Sequence, residues 1–153
     1  WRYEALRDLA TPGGSGAPEP GATYEIEGRD TVTAAPELAR LTLNVAMTHI
    51  DPAAGAHGRR LVYGGHTIAV AAGQLSRVLP NLLTVLAWRS CDHTGPVFEG
   101  DELRSRFTIE ALHRLRDGAA LVEVHAVTSA RGDAPDGVAG ERSVLDWRLV
   151  ALG

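Results

Sequence analysis

The chain has 153 residues, 44% of them hydrophobic and 22% charged, a balance that supports one globular domain with a real core and excludes a largely disordered or collagen-like chain. Its basic residues number 15, all arginine, against 19 acidic ones, and the net charge of −4 argues against a nucleic-acid binder. No run approaches the roughly 18 apolar residues of a membrane span, and the single cysteine, Cys91, builds no internal disulfide, so a reducing, cytoplasmic setting is expected.

Residues 1–22 read as an N-terminal segment. Trp1 to Ala10 carries a weak helical pattern, with Tyr3, Leu6 and Leu9 on one side. The run from Thr11 to Gly21 is rich in glycine and proline and reads as a flexible linker or a mobile loop; as a linker it would join a preceding module to the domain that follows. The chain begins at Trp1, with no methionine and no signal-peptide pattern.

Residues 23–153 form the expected domain. Tyr24 to Val32 alternates as a strand. Thr33, ahead of Ala34, Ala35 and Pro36, is the expected N-cap of a short helix from about Ala35 to about Val45. Thr48 to Gly65 reads as an ordered loop. The clearest helix is His66 to Leu79, with Ile68, Ala71, Ala72, Leu75 and Leu79 on one face. Four strands follow, at about Leu82–Asp92, Asp101–His113, Ala119–Ala130 and Arg142–Leu152. Arg116-Asp117-Gly118 is a hairpin signal, and the Gly/Asp/Pro stretch from Gly132 to Gly140 is a longer connection. One long helix with five to six mostly antiparallel strands implies an α+β fold, the sheet wrapped on the helix. Pairing with a second copy or a second half would cover its open edges.

Three segments carry a resemblance. Asn44-Val45-Ala46-Met47-Thr48-His49-Ile50-Asp51-Pro52 resembles a hydratase motif in which an acidic residue precedes a histidine by five positions and Asp-Pro follows. Leu61-Val62-Tyr63-Gly64-Gly65-His66 resembles a loop-to-helix junction marked by glycine. Pro96-Val97-Phe98-Glu99-Gly100-Asp101-Glu102-Leu103 is similar to a Pro-x-x-x-Gly-Asp-x-Leu turn entering a long strand. In this order they resemble the MaoC-like acyl dehydratases, or (R)-specific enoyl-CoA hydratases, of the hot-dog fold. The resemblance covers roughly Tyr24 to Leu152. It implies a lyase that hydrates an enoyl thioester of coenzyme A or phosphopantetheine, as in fatty acid metabolism. No metal or redox cofactor is needed, and the pocket is expected where two hot-dog units meet, in a homodimer or a fused double unit.

His49 is the expected acid–base residue, because hydration takes a proton from water and returns one to the neighbouring carbon. The bland alternative is a loop histidine bonded to a backbone carbonyl. The family's catalytic acid falls on Asn44, an amide that holds water but takes no proton; it equally suits a helix C-terminal cap. Asp51 either orients His49 or caps the next turn. The resemblance makes Gly65 an oxyanion donor beside Gly64, where a positive-φ turn is the plain alternative. Arg59 and Arg60 suit the carrier's phosphates or are ordinary surface charges. Tyr63 and Trp88 line an acyl tunnel or pack the core. His66 lines the pocket or caps the helix.

Other chemistries fit less well. His49, His57, His66, Cys91 and His93 lack a standard metal-ligand spacing, so no metal is expected. Walker, Gly-x-Gly-x-x-Gly and Gly-x-Ser-x-Gly motifs are absent. A thioesterase of the same fold would usually place a carboxylate on the central helix, and His66–Leu79 holds none. The rival to an enzyme is the degenerate, non-catalytic half of a double hot-dog protein, which binds acyl thioester or serves as scaffold.

Overall fold

The computed structural model describes residues 18–115, 118–133 and 139–153. The expected helix at Trp1–Ala10, the linker as far as residue 17, and positions 116–117 of the hairpin lie outside the described residues. The element order is β1 (Thr23–Glu25), β2 (Asp30–Thr31), α1 (Ala35–Leu41), α2 (Met47–Ile50), two 3-10 turns (Pro52–Ala54 and Ala56–Gly58), α3 (Gly64–Val78), β3 (Thr84–Asp92), β4 (Glu102–Arg114), β5 (Ala120–Asp133) and β6 (Ala139–Leu152).

Period-two alternation builds the sheet. In β4, Leu103, Ser105, Phe107 and Ile109 are buried while Arg104, Arg106 and Thr108 take the wetter face. In β5 the buried set is Val122, Val124, Ala126, Thr128 and Ala130. In β6 it is Leu145, Trp147, Leu149 and Ala151, with Leu152 buried at the strand end, and a register shift opposite Thr128 and Ser129 also turns Val144 inward. The six strands form one sheet in the order β1-β4-β5-β6-β3, with β2 also on β4, and every pairing is antiparallel.

The long helix α3 lies on this buried face. Ala71, Leu75 and Leu79 share a core cluster with Phe107, Val124, Trp147 and Leu149, and Ile68 and Ala72 pack at its margin. Small residues along this stripe let the sheet come close. Burying one leucine or phenylalanine here contributes about 1.5–3 kcal/mol. The α+β hot-dog architecture expected from the sequence is the one observed: a mostly antiparallel sheet wrapped around one central helix. No helix among the described residues is long and apolar enough to cross a membrane.

Four local readings are corrected. The expected strand Tyr24–Val32 is two short strands, interrupted by bends at Glu27 and Gly28. Helix α1 is capped by Ala34 at φ 53°, with no side-chain cap, in place of Thr33. It also ends at Leu41, short of Val45. Leu43 adopts φ 59°, its N–H bonds to the Arg40 carbonyl (3.2 Å), and the Asn44 N–H bonds to the Ala39 carbonyl (2.9 Å). That pair of reversed bonds closes the helix as a Schellman motif, with leucine in the position glycine usually takes. Finally, the span read as one loop, Thr48–Gly65, contains most of α2 and both 3-10 turns, and Gly64 and Gly65 already belong to the first turn of α3.

Candidate active site

The candidate site gathers at the N-terminus of α3, on a strap of chain from Arg59 to Val62. The Leu61 N–H donates to the Thr48 carbonyl (3.0 Å) and the Val62 N–H to the Val97 carbonyl (2.8 Å). The Glu99 N–H donates back to the Arg60 carbonyl (3.3 Å). The strap is thereby stitched to α2 on one side and to the turn before β4 on the other.

That turn is locked by Asp101, whose side chain is fully buried. One carboxylate oxygen accepts from the Phe98 N–H (2.8 Å), the other from Arg59 (3.1 Å), and Arg142 completes a second ion pair. The Arg59 guanidinium also lies 4.5 Å from the centre of the Phe98 ring. A Cβ on Gly132 would fall 2.2 Å from the Asp101 carboxylate, so the buried charge is accommodated only opposite a glycine. The Pro-x-x-x-Gly-Asp-x-Leu segment thus acts here as a structural clasp. Paired and hydrogen-bonded on both oxygens, its carboxylate meets the condition under which a buried charge is tolerated.

His49 sits on α2, half-buried, and its Nδ1 lies 2.8 Å from the Leu61 carbonyl oxygen. A carbonyl only accepts, so Nδ1 carries the proton and the neutral ring keeps its lone pair on Nε2. The expected alternative of a loop histidine bonded to a backbone carbonyl matches this contact, and the same contact leaves Nε2 without a hydrogen bond among the described residues. Asp51 is spent elsewhere: its carboxylate accepts from the Ala53 N–H (2.9 Å) and caps the following 3-10 turn. Leu61, not Asp51, orients the imidazole.

Asn44 caps α1 through its backbone N–H, while its half-buried carboxamide makes no hydrogen bond among the described residues. Gly64 and Gly65 open α3, where the His66 N–H is taken by the Tyr63 carbonyl (2.9 Å). A Cβ on Gly65 would lie 2.2 Å from the Tyr63 hydroxyl oxygen and ring, so the phenol folds over that glycine. The Tyr63 and His49 rings meet edge to face, 6.3 Å between centroids. His49, Tyr63 and Gly65 are thus brought together.

Arg60 donates from Nε to the Ile50 carbonyl (3.1 Å) and ion-pairs with Glu99. Both arginines expected at the phosphates are engaged within the fold. Burial pushes the His66 imidazole below its usual value, and its Nδ1 is buried with no partner among the described residues. Trp88 lies on the edge strand β3 and makes its ring contact with Trp147, 5.4 Å between centroids. Sequence reasoning missed His93 as a neighbour of the helix terminus: its ring lies against Gly64, 2.5 Å from where a Cβ would stand. Only its place in Cys91-x-His93 drew attention to it. Among the described residues no three His, Cys, Asp or Glu side chains group as metal ligands.

No protein-family model matches the chain. It is similar to mesaconyl-CoA hydratase of Cereibacter sphaeroides, 38% identical over 66 residues, which is 43% of this chain and 19% of the relative. It is also similar to β-methylmalyl-CoA dehydratase of Chloroflexus aurantiacus, 39% identical over 70 residues, or 44% of this chain and 20% of the relative. The match thus spans about a fifth of the length of these curated relatives. Among solved structures, a conserved hypothetical protein of Mycobacterium tuberculosis with a double hot-dog fold matches at TM-score 0.80 and 47% identity, over 97% of this chain and 43% of that one. A MaoC domain dehydratase of Chloroflexus aurantiacus matches at TM-score 0.75 and 26% identity, over 88% and 42% of the two chains. The resemblance to the MaoC-like acyl dehydratases is borne out by these relatives and by the hot-dog fold.

Proposed function

From the hot-dog fold and these MaoC-like relatives, we propose that the domain is a hydro-lyase that reversibly adds water across the 2,3 bond of an enoyl thioester. The observation that carries this reading is the His49 imidazole, held by the Leu61 carbonyl with Nε2 free among the described residues. Asn44 holds a water through its carboxamide. Nε2 takes one proton from that water as its oxygen attacks C3 of the enoyl group. Charge then develops on the thioester oxygen, where the Gly65 N–H and the positive end of α3 stabilise it. The imidazolium returns its proton to C2, giving the 3-hydroxyacyl thioester. The chemistry needs no metal or redox cofactor; the carrier is coenzyme A or phosphopantetheine.

The working unit proposed is two hot-dog domains, as a homodimer or a fused pair. Strand β3 is an edge of the sheet, and Val85, Leu86 and Trp88 on it are exposed. A second reading has support in Asn44 and in the match to 43% of a double hot-dog chain. In that reading this is the degenerate half, and a partner half carries the acid and histidine.

The test is loss of enoyl absorbance with crotonyl-CoA and with a methyl-branched enoyl-CoA, using the wild type, His49→Ala and Asn44→Asp. Turnover that vanishes in His49→Ala and rises in Asn44→Asp supports the enzyme. Silence from the wild type and from Asn44→Asp on every substrate supports the degenerate half.

A further inference from the structure

Asn44 supplies no acid, so the proposed chemistry leans heavily on stabilising the charge that forms at the thioester oxygen. One backbone N–H is a thin provision for that task. The Tyr63 phenol lies against the glycine that carries it. Its hydroxyl oxygen lies 2.2 Å from the position of a Cβ on Gly65. Adding one C–C and one C–N bond of about 1.5 Å each puts the hydroxyl and the Gly65 nitrogen within about 5 Å of each other. A single oxygen can then sit about 2.9 Å from both.

Two further observations agree. The hydroxyl makes no hydrogen bond among the described residues, so its donor is uncommitted. The same ring meets His49 edge-on at 6.3 Å, which places it in the compartment of the proposed base. We infer that the Tyr63 hydroxyl is the second donor to the thioester oxygen, acting beside the Gly65 N–H. The inference rests on the hydratase reading and deepens it. No covalent step is added: the phenol keeps its proton, and its hydrogen bond strengthens as negative charge grows on the oxygen. It also gives Gly65 a second reason to be glycine, since any side chain there would displace the phenol.

The test has two readouts, turnover of crotonyl-CoA and the absorbance of bound 4-(dimethylamino)cinnamoyl-CoA, whose band moves to the red when its carbonyl is polarised. Tyr63→Phe keeps the ring on Gly65 and removes only the hydroxyl. It is expected to lose about 10²–10³ in kcat and most of the red shift, with KM within about threefold. Gly65→Ala, which must push the ring aside, is expected to lower both readouts as well. His49→Ala is expected to lose turnover and keep the red shift. Tyr63→Phe with wild-type kcat or with an undiminished red shift overturns the inference while leaving the hydratase reading in place. A wild type without turnover that still shows a Tyr63-dependent red shift sinks the hydratase reading and keeps the donor. A wild type that neither turns over nor binds the probe sinks both.

Discussion

His49 Nδ1 lies 2.8 Å from the carbonyl oxygen of Leu61, a residue twelve positions further along the chain. The carbonyl holds the ring in one tautomer and one orientation, because rotating the imidazole would bring a lone pair or a C–H against the oxygen. His49→Ala is expected to lower kcat for enoyl-CoA hydration by about 10²–10⁴. Free imidazole in the assay should restore part of the rate, since the variant leaves a cavity beside the Leu61 carbonyl. A variant rate within about threefold of wild type would remove His49 from the chemistry.

Leu43 is strained without being packed. It sits at φ 59° with 82% of its surface exposed, at the position that closes α1. A left-handed conformation costs an ordinary residue about 1–2 kcal/mol, and glycine escapes most of that. Leu43→Gly is therefore expected to stabilise the fold by roughly 1 kcal/mol, raising Tm by about 2–4 °C. Thermal unfolding followed by circular dichroism checks it. A fall in Tm would mean that the leucine contributes packing to a partner surface.

Strong periodicity was legible, and weak local signals were not. The alternation of β4 to β6 and the stripe of Ile68, Ala71, Leu75 and Leu79 are long patterns with large burial behind them, and each element lies within a few residues of its expected place. Strands β5 and β6 run further than expected because backbone pairing continues past the apolar run, from Arg131↔Glu141 to Asp133↔Ala139. The end of α1 was not legible because leucine is a poor signal for a left-handed residue. Helix α2 is four residues long, too short to show a period. At the site, His49, Tyr63 and Gly65 were all singled out from sequence, but their arrangement depends on a backbone carbonyl, which no side-chain pattern announces. His93 reaches Gly64 across 29 positions of chain, and nothing local to either residue marks that approach.

His66 gives the fold a pH dependence of known sign. Burial lowers its pKa from the ordinary 6.5, so the folded chain binds less proton than the unfolded chain just below that pH. Stability is then full above about pH 6.5 and falls as the pH drops toward the folded-state value. Asp30 contributes separately and at lower pH: hydrogen bonding to Arg77, chiefly, depresses its carboxyl below the ordinary 3.8. Urea unfolding at about pH 7.5 and about pH 5.5 is expected to show a lower midpoint at the acid end. In His66→Asn that difference should shrink. An unchanged difference would assign the acid sensitivity to other groups.

Arg60 separates two roles that sequence alone left together. Its Nε holds the Ile50 carbonyl at the end of α2 (3.1 Å), and its guanidinium pairs with Glu99. A group occupied on both sides is placed to fix the short helix that carries His49, and a phosphate would have to compete with Glu99 for it. Arg60→Ala is accordingly expected to misplace the imidazole and lower kcat by about 10-fold, in line with the sensitivity of catalysis to small displacements. The decisive comparison is between crotonyl-CoA and crotonyl-pantetheine, which lacks the phosphates. An equal loss on both substrates identifies a positioning residue. A rise in KM confined to the CoA ester would instead show that Arg60 leaves Glu99 to bind the carrier's phosphates.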